Sequence, residues 1–111
     1  MGKTLSPLRY PGGKSQLSRR VQRLIERNNW QNSIYVEPFA GGFGVGLYLL
    51  TNNIIENAVM NDYDQHVFHF WTAALFQTDE LIELVRNTPI SLAERTIQKT
   101  RYLDPASTVL Q

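Results

Sequence analysis

The chain has 111 residues, 42% of them hydrophobic and 19% charged, and it contains no cysteine. That size suits one globular domain, and the composition is unlike that of a disordered chain. Disulfides, thiolate metal centres and cysteine nucleophiles are excluded. No apolar run approaches the roughly 20 residues that span a bilayer, and Met1 to Pro7 has no signal-peptide core. A cytoplasmic protein without membrane contact is the expectation.

The net charge of +1 is unevenly spread. Up to Trp30 there are seven bases (Lys3, Arg9, Lys14, Arg19, Arg20, Arg23, Arg27) against Glu26 alone, while the remainder holds four bases and nine acids. A basic end on an otherwise acidic domain suits a polyanion such as nucleic-acid phosphate. On charge alone, a solvated helix face reads equally well.

Residues 7–14, Pro-Leu-Arg-Tyr-Pro-Gly-Gly-Lys, read as a loop with two prolines and a glycine pair. From Ser15 a helix is expected. Leu17, Val21, Leu24 and Ile25 recur at helical spacing, the four arginines fall largely on other faces, and Asn28-Asn29 ends it. Ile34 to Glu37 reads as a buried strand, followed by a glycine turn and a helix from Gly44 to about Asn52. Asn57 to Asn61 carries a fainter strand signal. Gln65 to Phe76 is apolar nearly all round, as in a helix sandwiched in the core of a larger body. Thr78, with Asp79 and Glu80, opens another helix that ends near Pro89. Ser91-Leu-Ala-Glu94 is a capping box for a last helix toward Arg101. Trp30, Trp71 and the phenylalanines are expected in the core.

Strands alternating with helices imply an α/β fold with a parallel sheet covered on both faces. Two strands alone are marginal in water. The expectation is therefore a partial, Rossmann-like sheet flanked by helices and incomplete in this chain.

The chemistry concentrates in Tyr35-Val-Glu-Pro-Phe-Ala-Gly-Gly-Phe-Gly-Val-Gly46. Strand, acid, glycine turn and helix in that order describe a nucleotide pocket at the carboxyl end of a strand. Glycine lets the backbone approach a ligand and reverse direction, and the helix start offers unpaired N–H groups. The dinucleotide pattern is not met: Gly42-Phe-Gly44 is followed by Leu47 where a third glycine belongs, and Gly46 is off register. Glu37 ends the first strand, and Asp62 ends the second 25 residues later, where such folds place an acid on ribose hydroxyls. Two acids suit a ligand with a cationic group and an unphosphorylated ribose better than a pyrophosphate. S-adenosyl-L-methionine is such a ligand. The plainer reading of Asp62 is a cap or turn residue. His66 and His69, three apart on a helix, lack further metal ligands and read as ordinary helix residues, so no metal site is expected.

Leu8-Arg-Tyr-Pro-Gly-Gly-Lys-Ser-Gln-Leu17, Val36-Glu-Pro-Phe-Ala-Gly-Gly-Phe-Gly-Val45 and Asn61-Asp-Tyr-Asp64 resemble, in order and spacing, the amino-terminal half of Dam-type (D12 class) adenine-N6 DNA methyltransferases. The resemblance covers roughly residues 7–76. It implies a class I methyltransferase fold in which Tyr10 packs on S-adenosyl-L-methionine and Lys14 contacts it. Glu37, Pro38, Phe39, Ala40, Gly41 and Gly42 would form the floor, and Asp62 would hold the ribose. It implies double-stranded DNA as partner, in a restriction-modification setting.

The chain departs from the family at the catalytic motif, Asp-Pro-Pro-Tyr or a close variant. Its one Asp-Pro, Asp104-Pro105, is followed by Ala106-Ser107, with no second proline and no aromatic residue. Residues 1–111 are therefore expected to be the amino-terminal cofactor-binding part of a methyltransferase domain, without its target-recognition and catalytic parts and with no catalytic residue of its own. The alternative is a non-catalytic cofactor- or DNA-binding subunit acting through self-association or a complementing chain. A methyltransferase for RNA or a small molecule is a third reading.

Overall fold

A computed structural model describes residues 5–9 and 14–106. A short 3-10 turn, Ser15–Leu17, leads into α1 (Ser18–Arg27). Then come β1 (Tyr35–Glu37), α2 (Gly44–Thr51), β2 (Ala58–Met60), α3 (Gln65–Phe76), α4 (Thr78–Asn87) and α5 (Leu92–Leu103). The chain forms two compact units, one through Asp62 and one from Tyr63.

In the first unit β1 and β2 pair in parallel, with Tyr35 opposite Ala58, Val36 opposite Val59 and Glu37 opposite Met60. The α2 crossover joins them, the βα arrangement that parallel pairing requires. The core is Ile25, Val45, Leu49 and Ile55, with Val21, Tyr35, Tyr48 and Ala58 packed against it. Leu49 is wholly buried.

Both helices of this unit stop by the same device. Asn28 and Asn52 each donate a side-chain N–H to the carbonyl four residues back, at 2.8 Å. The next residues, Asn29 and Asn53, take left-handed φ values of 55°. Trp30 N–H then reaches Ile25 O at 3.0 Å and Ile54 N–H reaches Leu49 O at 2.9 Å. These are Schellman ends with asparagine in the usual glycine place.

The strand at Ile34 to Glu37 is shorter and less buried than its sequence suggests. Tyr35 and Glu37 face the helices, whereas Val36 is 54% exposed and lies beside exposed Val59. A strand's side chains alternate between faces, and here only one face is covered.

In the second unit α3 begins at Asp64, whose carboxylate accepts from His66 N–H at 2.9 Å. It buries Val67, Trp71 and Ala73 and leaves Phe68, Leu75 and Phe76 exposed, so it is one-sided rather than sandwiched. The aromatic expectation is thus met at Trp71 and Phe43 and corrected at Trp30, Phe39, Phe68 and Phe76, which are exposed. Thr78 is the first residue of α4 rather than its cap, because its hydroxyl donates back to Ala74 O at 2.8 Å. At α5, Ser91 Oγ accepts from Glu94 N–H at 3.1 Å. The Glu94 carboxylate meanwhile accepts from Gln98, so half of the capping box is built.

No helix among the described residues is long and apolar enough to cross a membrane.

Candidate functional site

The carboxyl ends of β1 and β2 and the amino end of α2 meet at one turn, residues 38–43. Glu37 closes β1 with its side chain buried. Its Oε2 accepts from Gly46 N–H at 3.1 Å, and the Tyr35 hydroxyl donates to it as well. Burial holds the Glu37 carboxyl above the ordinary range, opposed by the Gly46 amide, the Tyr35 hydroxyl and the Lys14 charge. The Tyr35 hydroxyl is pushed up, first by burial and then by the neighbouring carboxylate. Gly46 is the third residue of α2, and the residue at the cap position, Phe43, makes no side-chain cap bond. Glu37 therefore caps α2 from across the fold, filling a role usually taken by a neighbouring side chain.

Phe43 has a left-handed φ of 50°, uncommon for an aromatic residue. Its buried ring covers Gly46, where an added Cβ would stand 2.1 Å from the ring edge. This explains why Gly46 is off register with the dinucleotide pattern. It clears space for Phe43 rather than for a ligand.

Asp62, half-buried beyond β2, accepts from Gly41 N–H through Oδ2 at 2.8 Å, and Gly41 has a positive φ of 48°. Asn61 stitches the turn to β2 three times. Its N–H donates to Glu37 O at 3.0 Å, its carbonyl accepts from Ala40 N–H at 2.9 Å, and its Nδ2 donates to Pro38 O at 3.1 Å. Lys14, just before the 3-10 turn, donates its Nζ to Phe39 O at 3.2 Å. Ser15 presses on Gly44, leaving 3.0 Å for any added Cβ.

The structure thus gathers Lys14, Glu37, Pro38, Phe39, Ala40, Gly41, Gly42 and Asp62 around one turn. Ala40 and Gly41 are buried, Gly42 is half-buried, and the Phe39 side chain is exposed. Tyr10 lies outside the described residues. Sequence reasoning missed Asn61, Phe43 and Tyr35. The readable signal for Asn61 is an amide side chain at a strand end beside a proline turn, and for Phe43 a glycine three residues on. His66 stacks on Tyr102 with ring centroids 3.7 Å apart, and no group of three or more His, Cys, Asp or Glu among the described residues could hold a metal.

Residues 10–105 match the family described as D12 class N6 adenine-specific DNA methyltransferase. The chain belongs to that family. Over 100 residues, 86% of this chain, it is 27% identical to the type II methyltransferase M.MjaIII of Methanocaldococcus jannaschii. The matched stretch spans 35% of that relative's length. No solved structure matches the chain. For a D12-class chain, the parallel pair flanked by helices is compatible with part of a methyltransferase fold.

The donor set at the turn fits S-adenosyl-L-methionine. Strand-end carboxylates suit its amino group and ribose hydroxyls. The first-turn amides of Gly44 and Val45, which have no intrahelical acceptor, and the Lys14 ammonium suit its carboxylate. No polyphosphate cradle is needed.

Proposed function

We propose that this turn holds S-adenosyl-L-methionine, and that residues 1–111 act as the amino-terminal cofactor-binding part of a DNA adenine-N6 methyltransferase. The bond from Gly41 N–H to Asp62 carries the reading. It draws the acid at the end of β2 onto the glycine turn after β1, so acid and turn share one edge of the parallel pair, where α/β folds bind nucleotides. A carboxylate has room for about four donors, so Gly41 and two ribose hydroxyls can share it. Pro38 to Gly42 form the floor, Lys14 contacts the ligand, and Tyr10 packs on it. Glu37 orders the α2 amides and supplies negative charge for the amino group.

The bound cofactor supplies an electrophilic methyl group. In the complete enzyme an adenine turned out of duplex DNA receives it at N6 and gives up a proton. The groups that orient the adenine belong to an Asp-Pro-Pro-Tyr type motif. Asp104-Pro105 departs from that motif, with Ala106-Ser107 in place of the second proline and the aromatic residue. This chain by itself is expected to transfer no methyl group to DNA.

A second reading is a binding subunit completed by a second copy or another chain. The exposed Val36, Val59, Phe68 and Phe76 favour it. A stable monomer by light scattering, unfolding in one cooperative step, counts against it.

Calorimetric titration with S-adenosyl-L-methionine tests the main reading. Saturable heat is expected, with affinity at least about tenfold weaker in Asp62→Ala, or about 1.4 kcal/mol. Unchanged binding by the variant removes Asp62 from the site, and no heat with the parent chain sinks the cofactor reading for these residues.

A further inference from the structure

One face of α1 stands outside the turn and its ligand. At about 100° per residue, Arg19, Arg20, Arg23 and Arg27 fall within an arc of about 100°. The opposite side carries buried Ser18 and Ile25 and half-buried Val21 and Gln22. The roll of the helix is fixed from α2, because the Tyr48 hydroxyl donates to Gln22 Oε1 at 2.7 Å. All four arginines are exposed, and none has an ion-pair or hydrogen-bond partner among the described residues. The helix's one acid, Glu26, accepts from Gln22 instead.

Apart from Arg27, which suits the negative end of the dipole in the last turn, this arrangement works against the helix that bears it. Arg19 and Arg23, and Arg23 and Arg27, are like charges four apart and repel. Arg19 and Arg20 stand in the first turn, at the positive end of the dipole, with no acid beside them. A face kept for solubility mixes its signs, and the same chain contains one. In α4, Asp79 and Glu80 occupy the first turn, Arg86 the last, and Arg86 pairs with Glu83. A face of four arginines unpaired among the described residues, with Glu26 only at its margin, that costs its own helix stability is explained by an anionic partner.

The face also starts beside the cofactor turn. The 3-10 turn before α1 places Ser15 against Gly44, and Lys14 reaches Phe39 O. Arg19, Arg23 and Arg27 then follow at steps of about 6 Å along the helix. Each strand of a duplex carries a phosphate about every 3.4 Å of axis, so this ridge matches the length of about four phosphates.

We propose that the Arg19, Arg20, Arg23 and Arg27 face of α1 binds the phosphate backbone of duplex DNA, without reading sequence, alongside the cofactor turn. The choice of duplex DNA among polyanions rests on the methyltransferase reading above.

The test is fluorescence anisotropy of the full chain with a labelled duplex of arbitrary sequence across a salt series. Each neutralised phosphate contributes a slope of about −0.9 in log K against log salt, so the four arginines account for about −3.6. Replacing all four (Arg19→Gln, Arg20→Gln, Arg23→Gln, Arg27→Gln) is expected to remove most of that slope and weaken binding at least about tenfold near 0.1 M salt. Four Arg→Lys replacements should keep the slope. The Gln variant should melt no lower than the parent, since it loses repulsion and no packing. The proposal is overturned by equal slopes for parent and Gln variant, by no duplex binding in the parent, or by binding to anionic phospholipid vesicles in preference to duplex. A lower melting point in the Gln variant also overturns it, because the arginines would then serve the fold. Calorimetry with S-adenosyl-L-methionine separates the two readings. The Gln variant should bind it like the parent, and Asp62→Ala should keep the DNA slope while losing cofactor.

Discussion

The unit through Asp62 and the unit from Tyr63 are held together in different ways. In the first, the polar bonds that matter join distant residues: Gly46 to Glu37, Gly41 to Asp62, Asn61 to Pro38, Tyr48 to Gln22. They surround a core with a wholly buried Leu49. In the second, the Thr78, Thr88, Ser91 and Gln98 side chains bond residues four apart or fewer, α3 and α5 meet in the His66–Tyr102 stack, and α4 and α5 bury no residue. The site falls in the first unit because placing an acid from one strand on a turn from another takes non-local bonds. Helices alone need only local ones.

Matched truncations test that contrast most severely. Leu49→Ala is expected to cost about 2–5 kcal/mol, the range for a buried leucine whose cavity cannot collapse. Ile97→Ala on α5, where the side chain is 48% exposed, should cost less than about 1 kcal/mol. Urea unfolding measures both. Equal losses would mean that the second unit has a closed core after all.

The next effect sits at the turn. Gly46→Ala drives a methyl group into the Phe43 ring and should cost about 1–3 kcal/mol. Adding Phe43→Gly removes the clash and suits the left-handed φ but also empties a buried ring site, which alone costs about 3–5 kcal/mol, so the double variant should lose less than the two single losses summed. If the losses simply add, the two residues do not act as a pair.

A smaller effect is expected from a purely local bond. Ser91→Ala removes the acceptor for Glu94 N–H and should lower stability by about 1 kcal/mol, read as earlier loss of far-ultraviolet ellipticity on heating. No change would show that the end of α5 is held by something other than its cap.

The same contrast explains what could be read from sequence. Helix ends written in neighbouring residues were legible: Asn28-Asn29 and Asn52-Asn53 as stops, Ser91 as a cap, Gln65 to Phe76 as one helix. So were the two parallel strands and the turn between Glu37 and Gly44, since glycine and proline mark turns by their own backbone limits. Burial was not, because it depends on which neighbours arrive. Trp30 and Phe68 have core residue types yet lie exposed, and Val36 sits on an uncovered face. Nor was the Glu37 cap legible, since its partner is nine residues away on the next helix.

Glu37 also supplies the subtlest test, a difference between two titrations. Burial raises its pKa above the value of about 4.3 that a glutamate has in an unfolded chain. Over the window between those values the native state holds a proton that the unfolded chain has released. Stability from this group is therefore fully present below about pH 4.3 and is lost as pH rises through the native value. Glu37→Gln has no proton to lose, yet its amide oxygen can still accept from Gly46 N–H. Urea midpoints of parent and variant should drift apart as pH climbs through that window, with the parent falling relative to the variant. A constant difference would mean that the Gly46 amide, the Tyr35 hydroxyl and the Lys14 charge together cancel burial, so that the cross-fold cap carries its negative charge without cost to folding.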